Sequence, residues 1–199
     1  MKKPKATVVV AQAPVCLIKA WPLIMRLRSN FDWNIVYLTR KKDDGHNTEM
    51  QKVWEHTGVQ LHFLQFEHYE ADEENFEIGF DRDDATSGIK TVCEGSELLV
   101  THNHIGEWGH VYHVFVNSVL ANIDRPRIYF GYNDDNDNNL IILPKAYGNM
   151  EIPMDRLQWT KQWFDGDGSL PTGKYCCDKE ALKLLKDNSN GLSFDLNGR

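Results

Sequence analysis

Apolar residues along this chain fall into two patterns, short continuous runs and longer stretches with helical spacing. Short runs rich in β-branched residues are typical of buried strands, and apolar positions three and four residues apart are typical of one helix face. The first pattern predicts strands at residues 8–10, 34–38, 59–64, 98–100 and 127–130. The second predicts helices at residues 17–28, 48–57, 87–95, 110–120 and 179–186. Pro22 must lie in the first turn of its helix or kink it.

The order of these elements predicts the fold class. Strands that alternate with helices form a mostly parallel sheet, because parallel neighbours need crossover connections that place helices on the sheet faces. We therefore expect a Rossmann-like α/β fold in a single domain over residues 1–199, since no repeat or linker divides the chain. In such sheets, ligands bind at the carboxyl ends of the strands. Residues 11–17 and 101–113 both follow strands, so we expect them to line one crevice.

Composition narrows the class of partner and the compartment. The 199 residues, 41% of them hydrophobic, suffice for a continuous core. With a net charge of −7, the chain as a whole gives no electrostatic reason to expect nucleic-acid binding. We interpret the basic runs at residues 2–5 and 40–42 as solvated ends of strands or helices. No apolar run approaches the about 18 residues that cross a bilayer, so we expect neither a membrane partner nor a signal peptide. The four cysteines lack disulfide or zinc-knuckle spacing, which indicates a reduced, cytoplasmic setting.

The candidate chemistry is concentrated in residues 98–120. Four histidines, one glutamate and two glycines lie where an apolar strand gives way to an apolar-faced helix. His110 and His113 are three residues apart, so on a helix they share one face near its first turn. Two imidazoles that project together beyond the end of a strand suit a metal site or an acid–base pair better than a hydrophobic core.

A family resemblance is carried by the same segment. The motif Thr101-His-Asn-x-x-Gly-Glu-Trp-Gly-His-x-x-His113 resembles the second signature block of the PIG-L/LmbE superfamily, in which Tyr often stands at the position of Trp108. Members of that superfamily are zinc-dependent deacetylases that act on substrates containing N-acetylglucosamine. The resemblance implies an LmbE/PIG-L-like fold, a glycan or other small-molecule ligand, and hydrolysis of the amide of an N-acetyl sugar as the reaction class.

The first signature of that family is altered in this chain. Family members follow their first strand with His-Pro-Asp-Asp-Glu, whose histidine and second aspartate bind zinc and whose first aspartate is the general base. Here the strand is followed by Gln12-Ala-Pro-Val-Cys-Leu17. Alignment on the shared proline puts Ala13 at the histidine ligand, Val15 at the base and Cys16 at the aspartate ligand. Of the zinc ligands that the family implies, only His113 is clearly retained.

One alternative is a rewired zinc site. Catalytic zinc normally has three protein ligands and a water molecule. Cys16 and His113 would supply two ligands and His102 or His104 the third, and thiolate and imidazole are good zinc ligands. No cofactor is expected by default, and zinc is the one alternative.

A second alternative keeps the pocket and drops the metal. In the rewired zinc site, Glu107 would be the catalytic base, and the family resemblance implies that protonated His110 stabilises the oxyanion. In a metal-free pocket they would instead hydrogen-bond sugar hydroxyls or a phosphate. The side chains that we expect to contact the ligand are His102, Asn103, His104 and Trp108. A third alternative assigns the histidines and glycines to a tight turn with no catalytic role.

Three further segments have structural interpretations. Residues 67–84 are strongly acidic and are interpreted as a loop and an exposed helix. Residues 133–139 and 165–169 carry alternating oxygen ligands, but they lack the glutamate that closes a calcium loop, so turn formation explains them equally well. The aromatic cluster in residues 157–164 has helical spacing, for which core packing is the default.

Overall fold

Strands and helices alternate along the chain from the first strand to the fifth, as the apolar pattern predicts. The computed structural model describes residues 2–68, 78–131, 140–143, 156, 158 and 173–188. The strands are β1 Lys5–Val10, β2 Asp32–Thr39, β3 Gln60–Phe66, β4 Leu98–Thr101, β5 Arg127–Phe130, β6 Leu140–Leu143 and β7 Gly173–Cys177. The helices are α1 Ala13–Val15, α2 Trp21–Leu27, α3 Gly45–Trp54, α4 Arg82–Cys93, α5 Gly106–Gly109, α6 Val111–Ala121 and α7 Lys179–Asn188. A π-helical turn at Cys16–Ala20 joins α1 to α2.

The strands form one sheet in the order β3-β2-β1-β4-β5-β7-β6. The first five strands in this order are parallel, with β1 between β2 and β4. β7 then runs antiparallel to β5, and β6 antiparallel to β7. The predicted α/β fold with a mostly parallel sheet is confirmed, and β7 and β6, which are joined at one side by antiparallel pairing, are an addition that the pattern did not predict.

Each face of the sheet carries a separate apolar cluster. Along β1, Val8 and Val10 belong to the cluster that includes α2, α3 and α7, whereas Val9 belongs to the cluster with α4 and α6. This alternation follows from the two-residue repeat of a strand. Because both faces are covered, the central strands are continuous apolar runs rather than alternating ones.

Helix starts differ from the sequence prediction because acidic side chains cap them. α3 begins at Gly45 and not at residue 48, since the carboxylate of Asp44 accepts the His46 amide at 3.0 Å. α4 begins at Arg82, five residues before the predicted start, since Asp81 accepts the amides of Asp83 and Asp84. Aspartate at an N-cap satisfies amides that have no partner inside the helix. The end of the acidic segment is therefore a helix start.

Other predictions have mixed outcomes. Pro22 lies in the first turn of α2, which is one of the two predicted outcomes for this residue. Residues 133–139, 159–164 and 165–169 lie outside the described residues, and so do residues 69–77 of the acidic segment. Within the described ranges, none of the helices combines the length and apolar character that a membrane span needs.

Candidate functional site

The turns that follow β1 and β4 meet at the carboxyl edge of the sheet. The backbone amide of Ala11 donates to Nε2 of His102 at 3.1 Å. The side-chain amide nitrogen of Gln12 lies 3.0 Å from Nε2 of His110. Both contacts join one turn to the other, so the turns after β1 and β4 lie side by side as predicted, and a crevice lined by residues 11–17 and 101–113 stays a prediction.

Three imidazole rings stack at this junction. The ring centroids of His102 and His113 are 3.8 Å apart with an interplanar angle of 10°. Those of His110 and His113 are 4.3 Å apart with an angle of 18°. His102 is 0% exposed and His113 3% exposed, whereas His110 is partly exposed. His110 is therefore the member of the stack that a ligand reaches first.

His102 has a structural role. A backbone amide can only donate, so Nε2 of His102 accepts and its lone pair is occupied by Ala11. The carbonyl oxygen of His102 accepts from Nδ2 of Asn117 at 2.8 Å, which fixes the turn to α6. The expectation that His102 contacts the ligand or supplies a third zinc bond needs correction, because the side chain is fully buried and that nitrogen is engaged.

His113 is held in the orientation of a metal ligand. Its Nδ1 lies 3.0 Å from the carbonyl oxygen of Gly106, so Nδ1 donates, and Nε2 is directed elsewhere. A metal-bound histidine usually donates its other ring N–H to a carbonyl or carboxylate in this way. Gly106 has φ +69°, and a Cβ built on it would lie 2.7 Å from Cγ2 of Val114. Only glycine lets the carbonyl reach His113 without displacing α6.

The residues at the other zinc-ligand positions of the family motif do not fit zinc. Ala13 is buried and offers no donor atom. Cys16 belongs to the apolar cluster of α2 and α3, beside Tyr37. Burial raises the pKa of the Cys16 thiol to about 12, against a smaller opposing effect of its hydrogen bond with Tyr37. Among the side chains that the structure describes, no three histidines, cysteines or carboxylates are grouped to hold a metal. The geometry therefore does not support Cys16 and His113 as a rewired zinc pair.

The remaining predicted residues divide into structural, exposed and undescribed side chains. Asn103 is 4% exposed and donates through Nδ2 to the carbonyl oxygen of Phe130 at 3.1 Å, which ties β4 to β5. This engaged amide gives Asn103 a positioning role. His104 is exposed at the edge of the crevice. Glu107 and Trp108 lie in α5, but their side chains are outside the described part of the chain, and their assigned roles stay predictions.

Sequence reasoning missed a second cleft beside the first. The ring of Tyr112 lies 5.6 Å from His110 and 5.2 Å from His68, measured between centroids. Beyond His68, a cleft of about 610 Å³ opens at the carboxyl ends of β2 and β3. It is lined by Arg40, Lys41, Asp43, Asp44, Gln65, Phe66, Glu67 and His68. The only sequence signal for it was the position of Arg40 and Lys41 directly after a buried strand.

Acid should destabilise the fold through His68. Burial, assisted by the charge of Arg40 and by His110, lowers the pKa of His68 from 6.5 to about 4. Between pH 6.5 and 4 the unfolded chain takes up a proton that the folded chain does not, so stability is complete above pH 6.5 and falls as the pH drops through this window. We expect His68→Phe, which keeps an aromatic ring against Tyr112, to reduce the fall of the thermal unfolding midpoint between pH 6.5 and 4.

The control for this pH effect is His56→Asn. His56 is 79% exposed, and asparagine tolerates its positive φ of 67°. His62, whose pKa burial also lowers, leaves a residual slope in both variants. An unchanged slope in His68→Phe would contradict the assignment.

Solved structures share this fold. N,N'-diacetylchitobiose deacetylase from Pyrococcus horikoshii matches with a TM-score of 0.55 and 13% identity, over 82% of this chain and 72% of that one. A deacetylase of the teicoplanin pathway, solved as its teicoplanin complex, matches with a TM-score of 0.54 and 9% identity, over 87% and 97%. The hydratase GalB from Pseudomonas putida KT2440 matches with a TM-score of 0.50 and 15% identity, over 66% of each chain.

These likenesses establish the fold. The structure has the fold of LmbE/PIG-L deacetylases, so that implication of the sequence motif is confirmed. No family model and no curated protein sequence matches the chain. Because the structural matches have low sequence identity, activity must be argued from the site itself.

Proposed function

We propose that this protein binds a sugar-containing ligand at the contact between Gln12 and His110, without a catalytic zinc ion. The observation that carries the proposal is the hydrogen bond between these two side chains, which are both partly exposed. They lie at the carboxyl edge of the sheet, where ligands of α/β folds bind. Behind them, the buried rings of His102 and His113 stack on each other.

The chemistry of this pair suits a neutral polar ligand. A carboxamide and an imidazole each combine donor and acceptor atoms, as sugar hydroxyls and acetamido groups do. Exposed His104 lies on the turn between the stacked histidines and extends this polar edge. Glu107 and Trp108, on the next turn, are proposed to complete the contacts with the ligand.

The structural neighbours support a sugar ligand more than they support a particular reaction. One is named for N,N'-diacetylchitobiose and another is bound to teicoplanin. The same fold also occurs in a 4-carboxy-2-hydroxymuconate hydratase, so the architecture serves more than one chemistry. Since the position of the family's first zinc ligand is Ala13 and that of its base is Val15, we propose binding rather than zinc-dependent hydrolysis.

The test is calorimetric titration with N,N'-diacetylchitobiose, together with metal analysis of the purified protein. We expect saturable binding in the presence of chelator and a loss of about fivefold in affinity for His110→Ala, since one hydrogen bond contributes about 1 kcal/mol. Gln12→Ala should behave in the same way.

The matched control is again His56→Asn, which removes an exposed imidazole at the opposite, amino edge of the sheet and should bind as wild type. Stoichiometric zinc with release of acetate would instead establish a rewired hydrolase. If the wild-type protein showed no saturable sugar binding, only the alternative that assigns the histidines and glycines to a tight turn would remain.

A further inference from the structure

The loop that follows β2 has a strained backbone conformation that several hydrogen bonds hold in place. Arg40 has φ +69°, and Gln65, at the end of the neighbouring β3, has φ +62°. Such backbone conformations are costly for residues other than glycine. The side-chain amide of Asn47, which is 0% exposed, donates to the carbonyl oxygens of Arg40 at 3.1 Å and Lys41 at 2.9 Å. The amide of Arg40 donates to the carbonyl oxygen of Phe66 at 2.9 Å. These contacts hold a strained loop against a cleft, and strain of this kind is concentrated at functional sites.

Two nitrogens beside this cleft lack partners. Among the residues that the structure describes, Nε of Arg40 and Nδ1 of His68 are buried without a hydrogen bond. Asp44 pairs with Nη1 of Arg40 at 3.7 Å, but it also caps α3. An unpaired guanidinium N–H is costly, so Nε of Arg40 is a donor that a ligand oxygen would stabilise.

The donor geometry favours an anionic ligand group. A guanidinium presents parallel N–H groups that match the two oxygens of a carboxylate or phosphate. Lys41 lines the same cleft and adds a second positive charge. Asp43, Asp44 and Glu67 also line it, so the site favours a small anionic group that contacts Arg40 and Lys41 directly and disfavours an extended polyanion.

The cleft is adjacent to the proposed sugar site. The rings of His68 and His110 both contact the ring of Tyr112, at 5.2 and 5.6 Å between centroids. The two imidazoles are therefore no farther apart than the sum of these distances. One ligand of about the size of a substituted sugar spans both positions.

We propose that the cleft formed by Arg40, Lys41 and His68 binds an anionic group, a carboxylate or a phosphate, of the same ligand whose sugar contacts Gln12 and His110. This inference rests on the proposed function for the sugar part of the ligand. The anionic part is testable by itself, because inorganic phosphate carries the same oxygen chemistry without a sugar.

The experiment compares the affinities of N-acetylglucosamine, its 6-phosphate and N-acetylmuramic acid, with inorganic phosphate as a separate probe. We expect at least one anionic sugar to bind at least about tenfold more tightly than the neutral sugar, because hydrogen bonds to charged groups are stronger than those between neutral groups. The phosphate and carboxylate arms identify which anion the cleft takes. Arg40→Asn should abolish this preference and leave the affinity for the neutral sugar unchanged.

The control variant is Lys42→Gln, which removes a positive charge from the same loop at a residue that does not line the cleft. Arg40→Asn should also keep or raise the melting temperature, by up to roughly 3 °C, because asparagine tolerates positive φ. A residue with only a structural role would lose stability on substitution. If Arg40→Asn does not fold, His68→Phe replaces it and should weaken the anion preference severalfold.

The outcomes separate the two proposals. An anion preference that Arg40→Asn removes and Lys42→Gln retains supports the inference. Equal affinity for neutral and anionic sugars overturns the inference and leaves sugar binding intact. Phosphate binding that depends on Arg40, without any sugar binding, supports the anion site and overturns the proposed function. A preference that persists in both Arg40→Asn and His68→Phe also overturns the inference.

Discussion

Substitution of Gly106 by alanine should lower the free energy of unfolding by about 3 kcal/mol, through left-handed strain and overpacking together. The glycine has φ +69°, and a Cβ there would lie 2.7 Å from Cγ2 of Val114 and 3.1 Å from its backbone nitrogen. The backbone of α6 cannot give way as a flexible side chain does. Chemical denaturation measures the change, and sugar binding should weaken with it because the Gly106 carbonyl orients His113.

Gly109→Ala is the matched control for this substitution. Gly109 has a similar φ of +80°, but a Cβ there would have no neighbour within 4 Å. The strain alone should cost about 1 kcal/mol. Equal losses of stability for the two variants would show that the close approach of Gly106 to α6 contributes nothing.

His102→Ala is expected to have the second large effect and to lower the free energy of unfolding by about 4 kcal/mol. The substitution leaves a cavity in the core and a backbone amide without its acceptor. The side chain is 0% exposed, stacks on His113 at 3.8 Å and contacts the edge of Phe130 at 5.7 Å. Its removal also leaves the buried amide of Ala11 without its acceptor. Thermal and chemical unfolding both report the loss.

His104→Ala separates this effect from the general sensitivity of the turn. His104 lies two residues from His102 but is exposed, so its removal should change stability by less than about 0.5 kcal/mol. The structural role of His102 would be refuted by a His102→Ala protein as stable as the wild type. In that case, His102 would return to the set of ligand-contacting candidates.

The central architecture could be predicted because its physical signals are local. Strands buried on both faces must be continuous apolar runs, and β1, β2 and β4 are such runs. The antiparallel strand β7 escaped prediction because Gly173–Cys177 contains only a short apolar stretch beside Lys174. Its pairing with β5 is a long-range contact, and nothing in its own sequence specifies that partner.

The place of the site could be predicted, but the role of each residue could not. Strand order alone brings the turns after β1 and β4 together. The spacing of His102 and His104 does not reveal that one is fully buried and the other exposed, because this depends on the backbone amide that approaches from β1. Gln12 belongs to the altered motif after β1, and only its contact with His110, which the sequence does not reveal, indicates a role for it. Arg40 and Lys41 resemble an ordinary solvated end of a strand, and only the strained turn and the cleft distinguish them.

The thiols of this protein are protected by the fold itself. Cys16, Cys93, Cys176 and Cys177 are all buried. Burial also raises the pKa of Cys16 and of Cys93 to about 12, which disfavours the reactive thiolate form at neutral pH. We therefore expect alkylating reagents and peroxides to attack these sulfurs mainly in molecules whose sheet has opened, so that oxidative damage follows partial unfolding.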